Sequence, residues 1–173
     1  MLRIAYKLSE LNFSNLMHVY LEGNIENGNV RYPYLPSPQR VAAAEQDFYQ
    51  YLYEVFFRQK DSFYAILEAT GEYRAALRIE PYQNGFLLCA LETAPDDRRK
   101  GYASELVEQV VAYLSTLGDG VLYSHVSKRN KASLAVHKKC GFSIIFDYAV
   151  YSDGSVLQSY YTLSRHYKKS ESI

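Results

Sequence analysis

The sequence of 173 residues contains no tryptophan and only two cysteines, Cys89 and Cys140. The two thiols stand far apart, and neither belongs to a Cys-x-x-Cys pair. Two isolated thiols build neither a zinc site nor a framework of disulfides. We therefore predict no metal site and interpret both cysteines as small buried residues of a reducing compartment.

Neither sign of charge is in excess, because 19 lysines and arginines balance 19 aspartates and glutamates. Proteins that grip a nucleic-acid backbone usually carry a strong basic excess, so nucleic acid is a poor default partner. The short basic run Lys168–Lys169 is interpreted as part of a frayed tail, residues 168–173, that follows a domain over residues 1–167.

Long hydrophobic runs are missing as well. No segment approaches membrane-spanning length, and the N-terminal residues Met1–Tyr6 become polar too soon for a signal peptide. We therefore expect no membrane partner and a cytoplasmic location.

The chain does contain ample apolar material, since 48% of its residues are hydrophobic. Its length suits one domain better than two. The predicted elements are a strand Leu2–Leu8, a helix capped by Ser9, an irregular segment Gly23–Pro38, a helix opened by Ser37-Pro38, strands Ser62–Ala69, Tyr73–Ile79 and Phe86–Thr93, a helix from Ala103 to Gly118, a strand Val121–Val126, a helix from Asn130 to Gly141, and a hairpin of Ser143–Tyr151 with Ser155–Leu163. This order predicts an α/β layered domain.

One strand–loop–helix segment carries the chemistry. The apolar strand Phe86–Thr93 leads to three consecutive cations, Arg98–Lys100, and then to Gly101 at the mouth of a helix. Free backbone N–H groups and the dipole at a helix N-terminus bind phosphate, and a glycine lets the ligand approach the backbone. The alternative is that Gly101 only starts the helix and the basic run is a solvated surface.

Two motifs resemble those of the GNAT superfamily of acyl-CoA-dependent N-acyltransferases. Arg98 to Ala103 is similar to its Q/R-x-x-G-x-G/A loop, and Asn130 to Phe142 is similar to its N-x-x-A/S-x-x-x-Y-x-x-x-G-F segment. The resemblance implies a single-domain GNAT fold, a mixed central sheet flanked by helices on both faces. It also implies acetyl-CoA as co-substrate and transfer of its acetyl group to a primary amine.

The resemblance implies roles for individual residues. The backbone of Leu91, Glu92 and Thr93 is expected along the pantetheine arm and the thioester. Asn130 is expected to reach the pantetheine, with Ser133 and His137 on the same helix face. The pyrophosphate is expected among the N–H groups of Arg99, Lys100, Gly101, Tyr102, Ala103 and Ser104, with Arg98 close by.

Three side chains are catalytic candidates. His137 replaces the tyrosine that protonates the departing thiolate in many members, so it is either an acid or a packing residue beside the cofactor. His125 is a candidate base for the amine, unless it is a core histidine. Glu92 is the fallback base, and its alternative is a carboxylate that faces solvent.

The acceptor is expected between the segment Asn24–Pro36 and the last hairpin. Tyr32, Tyr34 and Tyr148 are candidate contacts there, because tyrosine rings stabilise a cationic amine, although ordinary packing is the alternative. The acceptor itself, a small molecule or a peptide amine, stays open, and so does the oligomeric state, since homodimers are common among relatives. A non-catalytic acyl-CoA-binding module and an interaction protein are the rival functions.

Overall fold

The computed structural model describes residues 1–170, so the last three residues of the predicted tail lie outside the described part. The strands are β1 Leu2–Ala5, β2 Phe63–Ala69, β3 Glu72–Tyr82, β4 Gly85–Thr93, β5 Gly120–Ser127, β6 Ser143–Phe146, β7 Ala149–Val150, β8 Val156–Leu157 and β9 Tyr160–Tyr167. The α-helices are α1 Phe13–Val19, α2 Leu21–Arg31, α3 Ser37–Glu54, α4 Tyr102–Leu117 and α5 Lys131–Lys139.

Seven strands form one mixed sheet in the order β1-β2-β3-β4-β5-β9-β6. Every neighbouring pair is antiparallel except β4 and β5, which are parallel and are joined by the crossover helix α4. The chain is therefore the α/β domain with a mixed sheet that the sequence predicts.

Helices cover both faces of this sheet. Alternate residues of β3, such as Leu77 and Ile79, pack in one cluster with α4, and we call this side the α4 face. The intervening residue Ala76 packs with Leu16 of α1 and Leu52 of α3, and we call this side the α3 face. The period of two along the strands assigns each side chain to one face.

Two predictions for the N-terminal third are wrong. Ser9 lies in a single 3₁₀ turn, and Asn12 caps α1 instead by accepting the N–H of Asn15 at 3.1 Å. The segment from Gly23 is mostly the helix α2 rather than irregular chain. Gly28 is needed there because a β-carbon would lie 2.5 Å from the carbonyl oxygen of Arg40, so its glycine allows α2 and α3 to touch and does not break the helix.

The antiparallel pairing of the predicted last hairpin is confirmed, but the hairpin is split between two sheets. Strand β9 pairs with β5 and β6 in the main sheet, while β7 and β8 form a separate two-stranded ribbon. The tail is held as far as Ser170, whose N–H donates to the carbonyl of Ser115 at 2.9 Å, and Asp119 accepts the N–H of Lys169 at 2.6 Å. Within residues 1–170 no helix is long and apolar enough to cross a membrane.

Candidate functional site

A gap opens in the middle of the sheet where β4 and β5 separate. The two strands pair only from Phe86 opposite Leu122 to Leu88 opposite Ser124. Beyond that point β4 stays paired with β3 as far as Thr93, and β5 stays paired with β9 as far as Ser127. The facing edges of the two strands therefore leave a wedge that opens toward their C-terminal ends.

A bulge in β4 bends the strand at this wedge. Ala90 has φ of +50°, and the register with β3 shifts so that Cys89 lies opposite Arg78 while Glu92 lies opposite Ala76. The extra residue keeps Cys89 and Glu92 on one face although they are three positions apart. Because Ala76 packs on the α3 face, Glu92 points to that face.

The hydroxyl of Tyr20 fixes the bulge from the same side. It donates to the carbonyl of Ala90 at 2.7 Å, and its ring is buried between Phe48 and Tyr64. Burial raises the pKa of Tyr20 well above its usual range, so the phenol stays protonated and keeps donating. The first two helices are thereby anchored to the strand at the wedge.

The loop after β4 turns the backbone toward the wedge. Arg99 has φ of +61° and Gly101 has φ of +89°, so both lie in the left-handed region just before α4. A helix leaves its first N–H groups without intrahelical partners, and these carry the positive end of the dipole. The N–H groups of Tyr102, Ala103 and Ser104 therefore lie at the end of α4 where the sequence predicts the pyrophosphate.

Asp97 holds this loop from below. It is 4% exposed and accepts hydrogen bonds from Lys100 Nζ at 2.8 Å and from Arg74 Nη1 at 2.9 Å. The hydrogen bond from Lys100 lowers the pKa of the Asp97 carboxyl most, and the hydrogen bond from Arg74 lowers it further. One donor of the Lys100 ammonium group is thus used by the protein itself.

The wedge and the loop form one groove made of two adjoining cavities. One, of about 290 Å³, lies at the loop and the N-terminus of α4; the other, of about 470 Å³, lies along the end of β4 and α5. Both are lined by Thr93, Arg99, Ala103 and Val136. Other predicted residues that line the groove are Leu91, Glu92, Arg98, Gly101, Tyr102, Ser104, Asn130 and Ser133.

Asn130 closes the far side of the groove as the N-cap of α5. Its side-chain oxygen accepts the N–H of Ser133 at 3.0 Å, which confirms the predicted cap. The cap uses the carbonyl end of the amide and leaves the donors of the side-chain NH₂ group unused by it, and Asn130 lines the groove.

His137 lies on the buried side of α5 and is not among the residues that line the groove. It is 1% exposed, and its Nδ1 bonds to the carbonyl of Ser133 at 2.8 Å. Burial lowers the pKa of His137, opposed by this hydrogen bond, so the ring is neutral at pH 7. The ring packs edge-on against Phe142 with centroids 5.1 Å apart, which is the geometry of a packing residue.

Glu92 lies in a small charge cluster at the groove. Arg98 donates to Glu22 of α2 at 2.6 Å, and its other nitrogen is 4.0 Å from Glu92. Burial raises the pKa of Glu92; the charge of Arg98 opposes this rise and the carboxylate of Glu22 adds to it. A carboxylate with a raised pKa is a stronger base than a solvated one.

His125 lies on the α3 face beside the wedge, between two tyrosines. Its ring is 5.4 Å from Tyr82 and 5.0 Å from Tyr151, centroid to centroid, and both contacts are edge-on. Both ring nitrogens are buried, and neither has a hydrogen-bond partner among residues 1–170. Burial lowers the pKa of His125, so the ring is neutral at pH 7.

The three tyrosines predicted to contact the acceptor do not come together. The hydroxyl of Tyr32 donates to Asp47 at 2.6 Å, and its ring packs on Tyr34, which is 76% exposed. Tyr148 stacks on Phe146, next to the outer strand β6. The tyrosines that lie on the α3 face near the wedge are instead Tyr20, Tyr51, Tyr82 and Tyr151.

The comparisons with known proteins agree with this geometry. The model of the Acetyltransferase (GNAT) family matches residues 29–142. The chain belongs to the GNAT family. No curated protein is similar enough in sequence to give a match.

Solved structures of GNAT proteins share the fold over nearly the whole chain. The ribosomal-protein-S18-alanine N-acetyltransferase of Escherichia coli is 16% identical, with a TM-score of 0.63 and coverage of 99% of this chain and 97% of that one. The PaiA N-acetyltransferase of Thermoplasma acidophilum, solved with coenzyme A, is 13% identical, with a TM-score of 0.62 and coverage of 96% and 99%. The putative acetyltransferase yncA of Salmonella typhimurium, solved with acetyl-CoA, is 12% identical, with a TM-score of 0.57 and coverage of 100% and 96%.

Three polar residues near the wedge of this GNAT protein were missed from the sequence. Asn24 falls in the segment Gly23–Pro38 that was predicted to be irregular, and Glu22 lies directly before it, so the helical placement of both was missed. Arg78 gave a usable signal, because it is a charged residue within the apolar strand around Leu77 and Ile79. A charge at a buried strand position is rare unless it has a partner or a function.

Proposed function

We propose that this GNAT protein transfers an acetyl group from acetyl-CoA to a primary amine by direct attack of the amine on the thioester. The observation that carries the proposal is the groove, which runs from the left-handed Gly101 and the N-terminus of α4 into the wedge between β4 and β5. It combines an anion-binding end with an exposed strand edge, which suit a pyrophosphate and an amide-containing arm respectively.

The residues of the groove divide the work by position. The backbone from Arg99 to Ser104 binds the pyrophosphate, and the side-chain NH₂ of Asn130 donates to the pantetheine arm. The edge of β4 from Leu91 to Thr93 holds the arm in the wedge. The thioester carbonyl is thereby presented toward the α3 face.

Glu92 is the base that this geometry favours. It lines the groove, points to the α3 face and has a raised pKa, whereas both nitrogens of His125 are buried. The nitrogen of the amine forms a bond to the acetyl carbon, the carbon–sulfur bond breaks, and coenzyme A leaves as a thiolate. The proton of the amine passes to Glu92, directly or through a water.

His137 receives no acid role in this proposal. A thiolate leaves without protonation, and the neutral ring lies outside the groove. Its proposed role is to hold α5 against Phe142, which keeps Ser133 and Asn130 in place.

Turnover of amines by matched variants tests the proposal. We expect Glu92→Gln to lower kcat/KM by roughly 10²–10⁴, the usual contribution of a general base, and to remove the loss of activity as the pH falls through the raised pKa of Glu92. Glu22→Gln is the matched control, because it removes the other carboxylate on Arg98. We expect it to cost less than threefold.

Two further variants decide between the alternatives. If His125→Ala loses activity and Glu92→Gln does not, His125 is the base. His137→Phe should stay within threefold of the wild type. If acetyl-CoA stabilises the protein more than AMP does but no amine releases thiol, the chain is a non-catalytic acyl-CoA-binding module. If acetyl-CoA stabilises it no more than AMP does, the cofactor assignment is wrong.

A further inference from the structure

A second cavity lies on the α3 face, under α2 and α3 and above β3. Its volume is about 440 Å³. Helix α2 contributes three residues to its wall at helical spacing, Asn24, Asn27 and Arg31. The floor is Arg78, and the remaining lining residues are Ala44, Asp47, Phe48 and Tyr51.

Arg78 brings a positive charge with few polar partners into this cavity. Its side chain is 17% exposed, and Nε is buried without a hydrogen-bond partner among residues 1–170. The nearest carboxylate, Glu80 on the same strand, is 4.0 Å away and does not line the cavity. The guanidinium group is otherwise held over the rings of Tyr51, at 4.9 Å, and Phe56, at 5.5 Å.

The other polar groups of the cavity do not neutralise Arg78. Arg31 and Asp47 form an ion pair with each other at 2.7 Å, so their charges cancel. Asn24 is 4% exposed, and its NH₂ group donates only to the thioether of Met17 at 3.4 Å. Thioether sulfur is a weak acceptor, so a second buried donor is left poorly satisfied. The residues that line the cavity therefore carry one net positive charge and spare donors, with the Glu80 carboxylate 4.0 Å from Arg78 outside the lining, which is a setting for an anion.

This cavity lies next to the proposed reaction centre. Arg78 is directly opposite Cys89, and the bulge residue Ala90 follows it in β4. Strand spacing places Leu91 on the order of 8 Å from Arg78, Cα to Cα. Tyr20 lies between the two regions, because its hydroxyl donates to the carbonyl of Ala90. Burial and Tyr64 raise the pKa of Tyr20 most; Arg78 lowers it and Glu92 raises it further, so both charges act on the same phenol.

From this placement we infer that the cavity is a carboxylate-binding subsite for the acceptor, so that the physiological acceptor is an amine that also carries a carboxylate. The inference rests on the proposed function. Arg78 binds the carboxylate through its planar fork, and Tyr51 and Asn24, which line the same cavity, supply further donors. The amine then extends toward Leu91 and Glu92.

Matched acceptors and matched variants test the subsite. The acceptors are glycine, β-alanine, 4-aminobutanoate and 5-aminopentanoate, each compared with the alkylamine of the same carbon chain without the carboxylate. We expect the wild type to prefer at least one amino acid over its alkylamine by tenfold or more in kcat/KM. Arg78→Met, which keeps the apolar stem, should abolish this preference and change alkylamine turnover by less than threefold.

Two controls separate binding from structure. Arg78→Lys keeps a charge but loses the fork, so it should restore part of the preference. Arg58→Met removes an arginine that does not line the cavity and should change neither series by more than threefold. Calorimetric titration of the preferred amino acid into the protein saturated with coenzyme A should show binding by the wild type and a loss of at least tenfold in Arg78→Met.

Three results would overturn the inference. The first is a wild type that turns over both series equally. The second is an absence of Arg78-dependent binding by every amino acid tested. The third is an equal loss of both series in Arg78→Met with a lowered Tm, which would make Arg78 a structural residue between α3 and β3. In each case thiol release with alkylamines, or stabilisation by acetyl-CoA, reports separately on the proposed function.

Discussion

Replacing Gly101 by aspartate and by asparagine isolates the electrostatic contribution of the groove to the binding of acetyl-CoA. Gly101 has φ of +89°, and an added β-carbon would meet no heavy atom of the protein within 4 Å. Both substitutions therefore cost backbone strain of about 1–2 kcal/mol and no steric clash with the protein. Because the two side chains have the same shape, the difference between the two variants reports on charge alone.

The expected size of that difference follows from Coulomb's law. A carboxylate about 6 Å from one phosphate charge is repelled by roughly 3 kcal/mol at an effective dielectric constant of 20, and by under 1 kcal/mol in bulk water. We expect Gly101→Asp to bind acetyl-CoA about ten- to a hundredfold more weakly than Gly101→Asn. The gap should narrow as the salt concentration rises, because exposed charges are screened.

Calorimetric titration of acetyl-CoA into both variants, at low and at high salt, measures the effect, and circular dichroism checks that both are folded. Equal affinity of the two variants would refute the reasoning, since it would place the phosphates away from the N-terminus of α4. An equal gap at both salt concentrations would show that the difference is not electrostatic.

Two further predictions concern stability. Gly28→Ala should lower the free energy of unfolding by about 1–3 kcal/mol, because its β-carbon would lie 2.5 Å from the carbonyl oxygen of Arg40 and overpacking is costly. Gly23→Ala, in the same helix with nothing within 4 Å, should raise the free energy of unfolding by up to ~1 kcal/mol. Thermal denaturation measures both changes, and changes of the same sign would refute the contact. Asp97→Asn should lower the Tm at pH 7. Because the folded-state pKa of Asp97 is lowered, this difference in Tm from the wild type should be fully present above pH about 4 and disappear as the pH falls through the folded-state pKa. A difference that is unchanged at low pH would show that charge is not its cause.

The strands and α4 could be predicted from the sequence because their periodicity is strong and local. The residues from Phe86 to Thr93 are apolar at nearly every position, as a central strand requires, and the stripe from Leu106 to Leu114 gives α4 its buried face. The groove residues followed from two motifs at the family's separation. These parts of the fold depend on neighbouring residues and little else.

The rest depended on tertiary contacts that no local pattern reveals. Gly28 resembles a helix breaker, but its small size serves the contact with Arg40. Gly85 follows the two-residue turn Gln83-Asn84, and its lack of a side chain allows the backbone of Val121 to approach. The surroundings of Tyr32 depend on tertiary contacts in the same way, because the helical course of α2 carries Tyr32 to Asp47.

The separation of β4 from β5 has a consequence for how the two halves of the sheet are coupled. Only three residue pairs join the block β1–β4 to the block formed by β5, β9 and β6, so the molecule contains a strand edge in its interior. Edges of this kind are normally hidden because they recruit other backbones. A ligand with amide groups in the wedge would pair with the strand edges as a short additional strand and would connect the two blocks. Its binding would then affect how the whole sheet holds together, and not the groove alone.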